Sequence, residues 1–176
     1  MSRYRRNYVA GGTFFFTVKL ADPKSRLLVE HINLLREAYA FVQKSHPFET
    51  VAICVMPNHL HAVWTLPDGD SDYPLRWRLI KTRFSHHFAA SDVLSASKQR
   101  RREKGIWQRR FYEHTVRDDA DLRRAVDYVH FNPVKHGFSD CVKDWPFSSF
   151  HRFVRDGLLP PDWGGTTETR IMNFGE

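Results

Sequence analysis

Two short apolar runs separated by a two-residue break are the feature that most constrains how this chain can fold. Residues 51–56 are apolar throughout, as expected for a strand that is buried on both faces. Residues 59–66 form a second strand-like run, and the break between the two runs is Pro57-Asn58, which is favourable turn chemistry. We therefore predict a hairpin of two antiparallel strands.

The rest of the chain alternates between strand and helix patterns. β-Branched and aromatic residues are typical of strands, and apolar positions that recur every three or four residues indicate helices. The other predicted elements are strands over residues 13–20 and 111–116, helices over 25–44 and 75–88, a helix from Asp118 or Asp119 to about Asn132, and a short helix over 149–155. This order predicts an α+β fold, an antiparallel sheet with packed helices that is ferredoxin-like in character. The order of the strands within the sheet stays open.

The length of the chain predicts one domain. At 176 residues it falls within the usual size of a single domain. We therefore assign residues 1–176 to one domain, with residues 138–176 as a packed C-terminal extension. Residues 89–104 are small and polar and end in a basic run, which predicts a mobile loop.

The charge balance favours a polyanionic partner. Lys and Arg number 27 against 20 Asp and Glu, which gives a net charge of +7. Such an excess favours nucleic acid, and the alternative is simple solubility. The only cysteines, Cys54 and Cys141, predict a buried core thiol at Cys54 rather than a disulfide framework. Without a signal-peptide pattern or an apolar stretch of membrane length, the expected location is the cytoplasm.

Two histidines lie one residue apart in the second strand of the predicted hairpin. Alternation places His59 and His61 on one face of the strand, and Leu60, Ala62 and Trp64 on the other. Two imidazoles on one face can converge on a single metal ion. A His-x-His pattern is weak by itself, so a pair of half-exposed strand histidines is the alternative.

The helix predicted after residue 118 carries a second candidate pair. Tyr128 and Asn132 are four residues apart, so a helix presents both side chains on one face. Tyr128 lies off the apolar stripe, and the alternative is an ordinary surface tyrosine.

The two pairs together suggest a metal-assisted nucleophile. His59, His61 and the Asn132 amide could supply three ligands and leave positions for phosphate oxygens and water. Imidazoles alone suit zinc or copper, whereas this mixed set also admits Mg²⁺ or Mn²⁺. The ion would act as a Lewis acid, and Tyr128 would be the nucleophile. Because a phenol has a reference pKa of about 10, a nearby cation must favour the phenolate. The metal is the first candidate for that cation, and Arg124 or Lys135 is the next.

Several stretches of the sequence resemble one known family, in the order that the family has them. They are YRR at 4–6 with GGTFFFTV at 11–18, MPNHLH at 56–61 with Pro67, VRDDADL at 116–122 with YVHFNPVKHG at 128–137, and WPFSSF at 145–150. The second group resembles the HUH motif of single-tyrosine transposases, and the third resembles their tyrosine helix. The first and last groups resemble the REP-associated tyrosine transposases, a bacterial branch of those enzymes. The resemblance extends to about Trp163.

This resemblance implies a complete set of site residues on one catalytic domain of the HUH nuclease fold. It implies metal ligation by His59 and His61, a nucleophile at Tyr128 and a third ligand at Asn132, where related transposases often carry glutamine. The implied cofactor is Mg²⁺ or Mn²⁺. A site complete in one chain is compatible with a monomer, although the family includes enzymes that share sites between two subunits.

The resemblance also implies the substrate. It is single-stranded DNA that carries repetitive extragenic palindromes, folded as imperfect hairpins with a tetranucleotide beside the foot. Cleavage would leave a 5′-phosphotyrosine and a free 3′-OH, which allows the end to be rejoined to another strand. The implied location is the bacterial cytoplasm, on the nucleoid when the protein is bound to DNA.

Basic residues outside this site could follow DNA phosphates. The candidates are Arg3, Arg5 and Arg6, the residues Arg76, Arg78, Lys81 and Arg83 that the second helix should expose, Arg100, Arg101 and Arg102 in the basic run, and Lys135. Interleaved aromatic residues such as Trp77, Trp107 and Phe111 could stack unpaired bases, but burial in the core is the stronger alternative for them.

Two other functions stay open at the level of the sequence. The first is a non-catalytic nucleic-acid-binding protein, of which a domesticated transposase is a special case. The second is a metal-dependent hydrolase that uses His59 and His61 to activate water, and it predicts products without attached protein.

Overall fold

The computed structural model describes residues 6–90, 97, 100 and 103–167. Its elements in chain order are β1 (Thr13–Lys19), α1 (Leu27–Glu30), α2 (Ile32–Ser45), β2 (Glu49–Val55), β3 (His59–Thr65), α3 (Tyr73–Ser85), β4 (Tyr112–Thr115), α4 (Asp119–Lys135), a 3₁₀ turn (Val142–Asp144) and α5 (Phe150–Arg155). None of the helices within these residues is long and apolar enough to cross a membrane. Most of the loop and basic run predicted over 89–104 lies outside the described residues, as do Arg3, Arg5, Arg101 and Arg102.

The four strands form one sheet in the order β2-β3-β1-β4. Every neighbouring pair of strands is antiparallel. With helices between β1 and β2 and between β3 and β4, the β-α-β-β-α-β succession is the ferredoxin-like one. The predicted α+β architecture is confirmed, and long-range pairing supplies the strand order that the sequence left open.

The predicted hairpin is formed by β2 and β3. Val55 lies opposite Leu60 and Cys54 lies opposite His61 across the turn. The backbone N–H of Met56 donates to the carbonyl of His59 at 2.9 Å, which closes the turn. Cys54 is a buried free thiol, as predicted.

Different helices cover the two faces of the sheet. On one face α2 and α3 enclose a core that contains Phe16, Trp64 and Trp77, and the two indole rings stack with centroids 4.1 Å apart. On the other face α4 covers Phe15 and Val63. A fully buried side chain of this size contributes about 1.5–3 kcal/mol, so both layers stabilise the sheet. The histidines of β3 share the α4 face with Val63 because side chains alternate along a strand.

The described part of the C-terminal extension, residues 138–167, packs against α4 and the outer edge of β2. The backbone N–H of Val55 donates to the carbonyl of Phe147 at 2.8 Å. Phe150 and Val142 form a small core with Phe131 of α4. This packing covers an edge strand that would otherwise present unpaired backbone groups.

Helix boundaries differ from the sequence prediction at several points, and α3 spans Tyr73–Ser85 instead of residues 75–88. The helix predicted over 25–44 is divided at His31, where the backbone leaves helical geometry with φ −117° and ψ 38°. α4 continues past Pro133, although proline lacks an N–H and removes one helical hydrogen bond. The last turn is closed instead by the His136 N–H, which donates to the Asn132 carbonyl at 3.0 Å. Gly137 follows with φ +68°, the left-handed conformation that commonly ends helices.

Candidate active site

His59 and His61 lie on the face of the sheet that α4 covers. In the register of the sheet, His61 is opposite Thr17 and His59 is opposite Lys19 of β1. The ring centroids of the two histidines are 5.1 Å apart, and both side chains are buried. The predicted shared face is confirmed, and the alternative of two half-exposed histidines is wrong.

Hydrogen bonds at Nδ1 orient both imidazole rings. Asn58 Oδ1 lies 2.6 Å from His59 Nδ1, and Thr17 Oγ1 lies 3.0 Å from His61 Nδ1. Because an amide oxygen only accepts, His59 Nδ1–H is the donor, and the lone pair of the ring is on Nε2. The Nε2 atoms of both rings are shielded from solvent. Sequence reasoning missed Thr17, since only the register of β1 on β3 brings it to His61.

Tyr128 projects from α4 toward His61, and Asn132 follows it on the same helix. The ring of Tyr128 meets the ring of His61 edge to face, with centroids 5.3 Å apart, and packs in the same way on Phe15 at 5.7 Å. Asn132, one helical turn further along, is fully buried and its Oδ1 is shielded from solvent. The side chain of Tyr128 is 1% exposed, so the surface-tyrosine alternative is wrong.

Lys135 places a positive charge at the phenol oxygen of Tyr128. Its Nζ donates to the Tyr128 hydroxyl at 3.1 Å and lies 4.8 Å from the centroid of the ring. An ammonium group at this distance favours the phenolate over the phenol by Coulomb attraction. Arg124, the other side chain considered for this role, donates instead to Asp121 at 3.1 Å.

The donor set fits a divalent cation with open coordination positions. Two imidazole nitrogens and one amide oxygen are neutral ligands, so phosphate oxygens and water would supply the remaining ligands and the negative charge. No group of three or more His, Cys, Asp or Glu side chains that could hold a metal occurs within the described ranges, which sets this site apart from a closed structural zinc centre. His136, which sequence reasoning missed, is exposed and its ring lies 5.1 Å from that of His59.

A buried carboxylate ties the start of α4 to β4 and so fixes where the helix lies. Asp121 accepts hydrogen bonds from His114 Nε2 of β4 at 2.8 Å and from Arg117 Nε at 3.0 Å. Burial opposes ionisation of Asp121, but the hydrogen bonds from Arg117 and His114 outweigh it and hold the pKa of this carboxyl well below its usual range. Asp118 is the N-cap of α4, and its side chain accepts from the Asp121 N–H at 2.7 Å.

We expect Asp121→Asn to destabilise the fold at neutral pH, by roughly 2 kcal/mol for the lost charge-assisted hydrogen bonds. Because the pKa of Asp121 is lower in the folded chain than in the unfolded one, its contribution is fully present above about pH 4 and is lost as the pH falls through the folded value. Thermal melts at pH 7 and pH 3 test this. A difference in Tm between the two proteins that is equally large at both pH values would contradict it.

Comparison with known proteins places the chain in a family. No family model matches it. A REP-associated tyrosine transposase of Escherichia coli is 48% identical over 165 residues, which cover 94% of this chain and 92% of that protein. A Haemophilus influenzae protein of the same family name is 46% identical over 172 residues, covering 97% of this chain and 98% of that protein. The chain belongs to the REP-associated tyrosine transposases. The family that the sequence motifs indicated is therefore confirmed.

The fold of the enzyme is also that of a solved family member. A structure of a REP-associated tyrosine transposase bound to a REP hairpin matches with a TM-score of 0.85 and 46% identity, over 99% of this chain and 96% of that one. The enzyme thus shares the α+β fold of a transposase that binds a REP hairpin.

Arg76 was predicted to be exposed and available to DNA, and this prediction is wrong. The side chain is buried, with its Nη2 2.6 Å from Asp70 Oδ2. It also donates to the carbonyls of His46, Pro47 and Asp72. Arg76 therefore joins α3 to the end of α2, because a buried guanidinium needs a partner for each of its donors.

The other basic residues that were predicted to contact DNA lie in different parts of the structure. Arg6, Arg78 and Lys81 line one cavity beside α3. Arg83 lies over the ring of Phe41, 3.7 Å from its centroid, and Arg100 is exposed. Burial in the core, the stronger alternative for the aromatic residues, is correct for Trp77 and Trp107, and Phe111 is partly buried against the same core.

Proposed function

We propose that this transposase is a metal-dependent single-stranded DNA endonuclease and strand transferase that acts on REP-type palindromic hairpins through a 5′-phosphotyrosine. One observation carries the proposal: the Tyr128 hydroxyl, bound by Lys135 at 3.1 Å, lies on a ring packed against His61. A nucleophile, a cation and two shielded imidazoles therefore occur within one small region.

Each residue has a separate task in the proposed reaction. His59 and His61, through Nε2, and Asn132, through Oδ1, would hold Mg²⁺ or Mn²⁺, which as a Lewis acid lowers the charge on the scissile phosphate. Lys135 holds the phenolate of Tyr128, whose proton is released to solvent. The Tyr128 oxygen attacks phosphorus, the bond from phosphorus to the 3′ oxygen breaks, and the departing oxygen takes up a proton. Attack on the phosphotyrosine by another 3′-OH reverses these steps and joins the two strands.

The proposed substrate follows from the solved relative. That protein is bound to a REP hairpin, and we propose a similar hairpin, with an adjacent unpaired tetranucleotide, for this enzyme. The nucleophile and all three proposed ligands lie on one chain, so a monomer would contain a complete site.

The decisive experiment is incubation of the intact protein with labelled single-stranded hairpin DNA and Mg²⁺ or Mn²⁺, followed by denaturing electrophoresis and mass spectrometry. We expect a covalent adduct on Tyr128 that is absent with EDTA. Cut DNA without an adduct, under conditions where religation is blocked, would favour activation of water instead. Tight binding without cutting, with several hairpins and both metals, would favour a protein that only binds DNA.

Thr17→Val is expected to lower the affinity for metal by about 10- to 100-fold. The substitution keeps the shape of the side chain but removes the oxygen that lies 3.0 Å from His61 Nδ1, so the ring loses the hydrogen bond that orients it. The Kd for Mn²⁺, measured by electron paramagnetic resonance, reports this directly. Thr13→Val is the matched control because Thr13 lies on the same strand and its hydroxyl bonds Thr65 rather than the site. Equal affinities for the Thr17 and Thr13 variants would exclude the positioning role.

Lys135→Met is expected to slow cleavage by roughly 100-fold, because the ammonium that favours the phenolate is removed. Lys135→Arg should recover much of the rate, since it restores a cation beside the phenol oxygen. The measurement is single-turnover cleavage with saturating DNA, which separates the chemical step from binding. If the Met variant loses DNA affinity but cleaves at the normal rate when saturated, Lys135 contacts a phosphate and does not activate Tyr128.

A further inference from the structure

Lys19 ends β1 on the face of the sheet that carries the proposed active site. Every second residue of this stretch belongs to the core beneath α2 and α3, namely Phe14, Phe16, Val18 and Leu20. The residues between them therefore lie on the α4 face, as Thr17 does, with its Oγ1 3.0 Å from His61 Nδ1. Lys19 follows Thr17 on that face and lies opposite His59 in the register of β1 and β3. A lysine side chain thus starts beside the first proposed metal ligand.

The charge of Lys19 is not neutralised by a neighbouring carboxylate. The residue is half-buried, and its ammonium group forms no ion pair or hydrogen bond among residues 6–90, 97, 100 and 103–167. Lys135, the other lysine of the site, already donates to the Tyr128 hydroxyl. An anion that arrives beside His59 would therefore meet a positive charge that is still available. In the proposed reaction that anion is a DNA phosphodiester, with which an ammonium group forms a charge-assisted hydrogen bond.

Lys19 and the proposed nucleophile lie at opposite ends of the histidine pair. The ring of Tyr128 packs on Phe15, with centroids 5.7 Å apart, and on His61, at 5.3 Å. Phe15 and Lys19 are four residues apart on β1, which is about 13 Å along an extended strand. A phosphate held over the two histidines would have Tyr128 on one side and Lys19 on the other. Because the attacking and departing oxygens of a phosphoryl transfer are roughly in line, Lys19 lies on the side of the departing oxygen.

We propose that Lys19 holds the departing 3′ oxygen of the DNA and stabilises the negative charge that develops on it. The bond from phosphorus to this oxygen breaks as the bond from phosphorus to the Tyr128 oxygen forms, and the electron pair of the broken bond stays on the 3′ oxygen. Lys19 donates a hydrogen bond to that oxygen and keeps its own proton, while water supplies the proton that completes the 3′-OH. Such a contact is stronger in the transition state than in the bound substrate, so it accelerates the chemical step.

The inference rests on the proposed function and adds a catalytic residue to it. Joining of strands reverses cleavage, so the attacking 3′-OH would occupy the place that the departing oxygen left. Lys19→Met is therefore expected to slow cleavage and joining by similar factors, about 100-fold each. Lys19→Arg should recover part of both rates, since it restores a cation at this position.

The test is single-turnover cleavage of two hairpin substrates that differ in one atom. One has the normal 3′ oxygen at the scissile bond, and the other has sulfur in its place. A thiolate is a much better leaving group than an alkoxide, so it needs little stabilisation by a cation. Lys19→Met should slow cleavage of the oxygen substrate by about 100-fold and that of the sulfur substrate by less than about 3-fold. An equally large loss on both substrates would overturn the proposal, because Lys19 would then act elsewhere than at the departing atom.

Metal binding without DNA supplies a measurement that does not depend on activity. An ammonium group beside the proposed ligands repels a divalent cation, so Lys19→Met should bind Mn²⁺ about 2- to 10-fold more tightly than the wild type. Electron paramagnetic resonance measures this affinity. A damaged fold would weaken Mn²⁺ binding instead. Unchanged or weaker binding by Lys19→Met would contradict the placement of this charge beside the cation site.

Lys44→Met is the matched control for both measurements. Lys44 is an exposed lysine in the last turn of α2, which covers the other face of the sheet. Its replacement should change neither the cleavage rates nor the affinity for Mn²⁺. Effects as large as those of Lys19→Met would mean that general loss of positive charge, and not the position of Lys19, is responsible.

Covalent adduct formation by the wild-type protein separates this inference from the proposed function. Absence of any adduct with both substrates refutes the proposed function, and the inference with it. An adduct that forms equally fast in the wild type and in Lys19→Met refutes the role of Lys19 alone. If Lys19→Met does not fold, Lys19→Gln, which keeps a polar end without the charge, takes its place in every comparison.

Discussion

Tyr128→Phe is expected to abolish cleavage and covalent attachment while hairpin binding survives. The substitution removes one oxygen, the proposed nucleophile, and leaves the ring in place against His61 and Phe15. Loss of a covalent nucleophile typically costs an enzyme many orders of magnitude in kcat, about 10⁶-fold in the best-measured case. The measurements are adduct yield by denaturing electrophoresis and hairpin Kd by anisotropy on the same preparation.

Tyr112→Phe is the matched control for this experiment. Tyr112 lies on β4, and its ring also approaches Phe15, with centroids 6.4 Å apart. Burial, followed by the charges of Glu113 and Asp121, raises the pKa of Tyr112, so this phenol stays protonated at neutral pH and makes a poor nucleophile. The Tyr112 variant should form the adduct normally. An adduct that persists in Tyr128→Phe and disappears in Tyr112→Phe would move the nucleophile to β4.

The hairpin and the shared face of His59 and His61 could be predicted because both depend on local pattern. A two-residue turn and the alternation of side chains fix them without knowledge of distant residues. The strand order could not be predicted in this way. It requires β1 to pair with both β3 and β4, and the pairing of Thr17 with His61 depends on that register.

The burial of Tyr128 shows a different limit of sequence patterns. The side of α4 that bears Asp121, Tyr128 and Asn132 resembles a solvent face in hydrophobicity, yet all three side chains are buried. Burial of polar groups is tolerated here because the structure supplies partners such as Arg117 and Lys135. A helix face that forms a polar site therefore looks like a surface until its partners are known.

For Arg76, too, the sequence pattern predicts an exposed side chain that the structure shows to be buried. In a helical pattern it belongs with the exposed basic residues of α3, but its partners Asp70 and the carbonyl of Pro47 lie in the connections before and after the hairpin. Periodicity carries no information about contacts made between loops and helices. Structure was needed to separate Arg76, which stabilises the fold, from Arg78, which is exposed.

His61→Ala is expected to remove metal-dependent cleavage, with a loss of at least about 100-fold in metal affinity, since it deletes a proposed ligand and not merely a supporting group. The difficulty is that His61 is fully buried, so a loss of activity could reflect a damaged fold. Stabilisation by the metal itself resolves this, because an ion that binds only the folded chain raises its stability by about 2.7 kcal/mol at 100 times Kd. The Tm of the wild-type protein should therefore rise with Mn²⁺, and the Tm of the His61 variant should not.

His130→Ala is the control that separates ligand loss from loss of packing. His130 is as fully buried as His61, but it bonds Ser149 Oγ at 3.0 Å and packs against Phe153, on the side of α4 that meets the C-terminal stretch. Its removal should lower the Tm without metal yet leave the rise with Mn²⁺ intact. A Mn²⁺-dependent rise in Tm that survives in His61→Ala would mean that His61 is not a metal ligand. A rise that vanishes equally in both variants would mean that His61 acts through packing. With either result, the metal-centred mechanism would have to be abandoned.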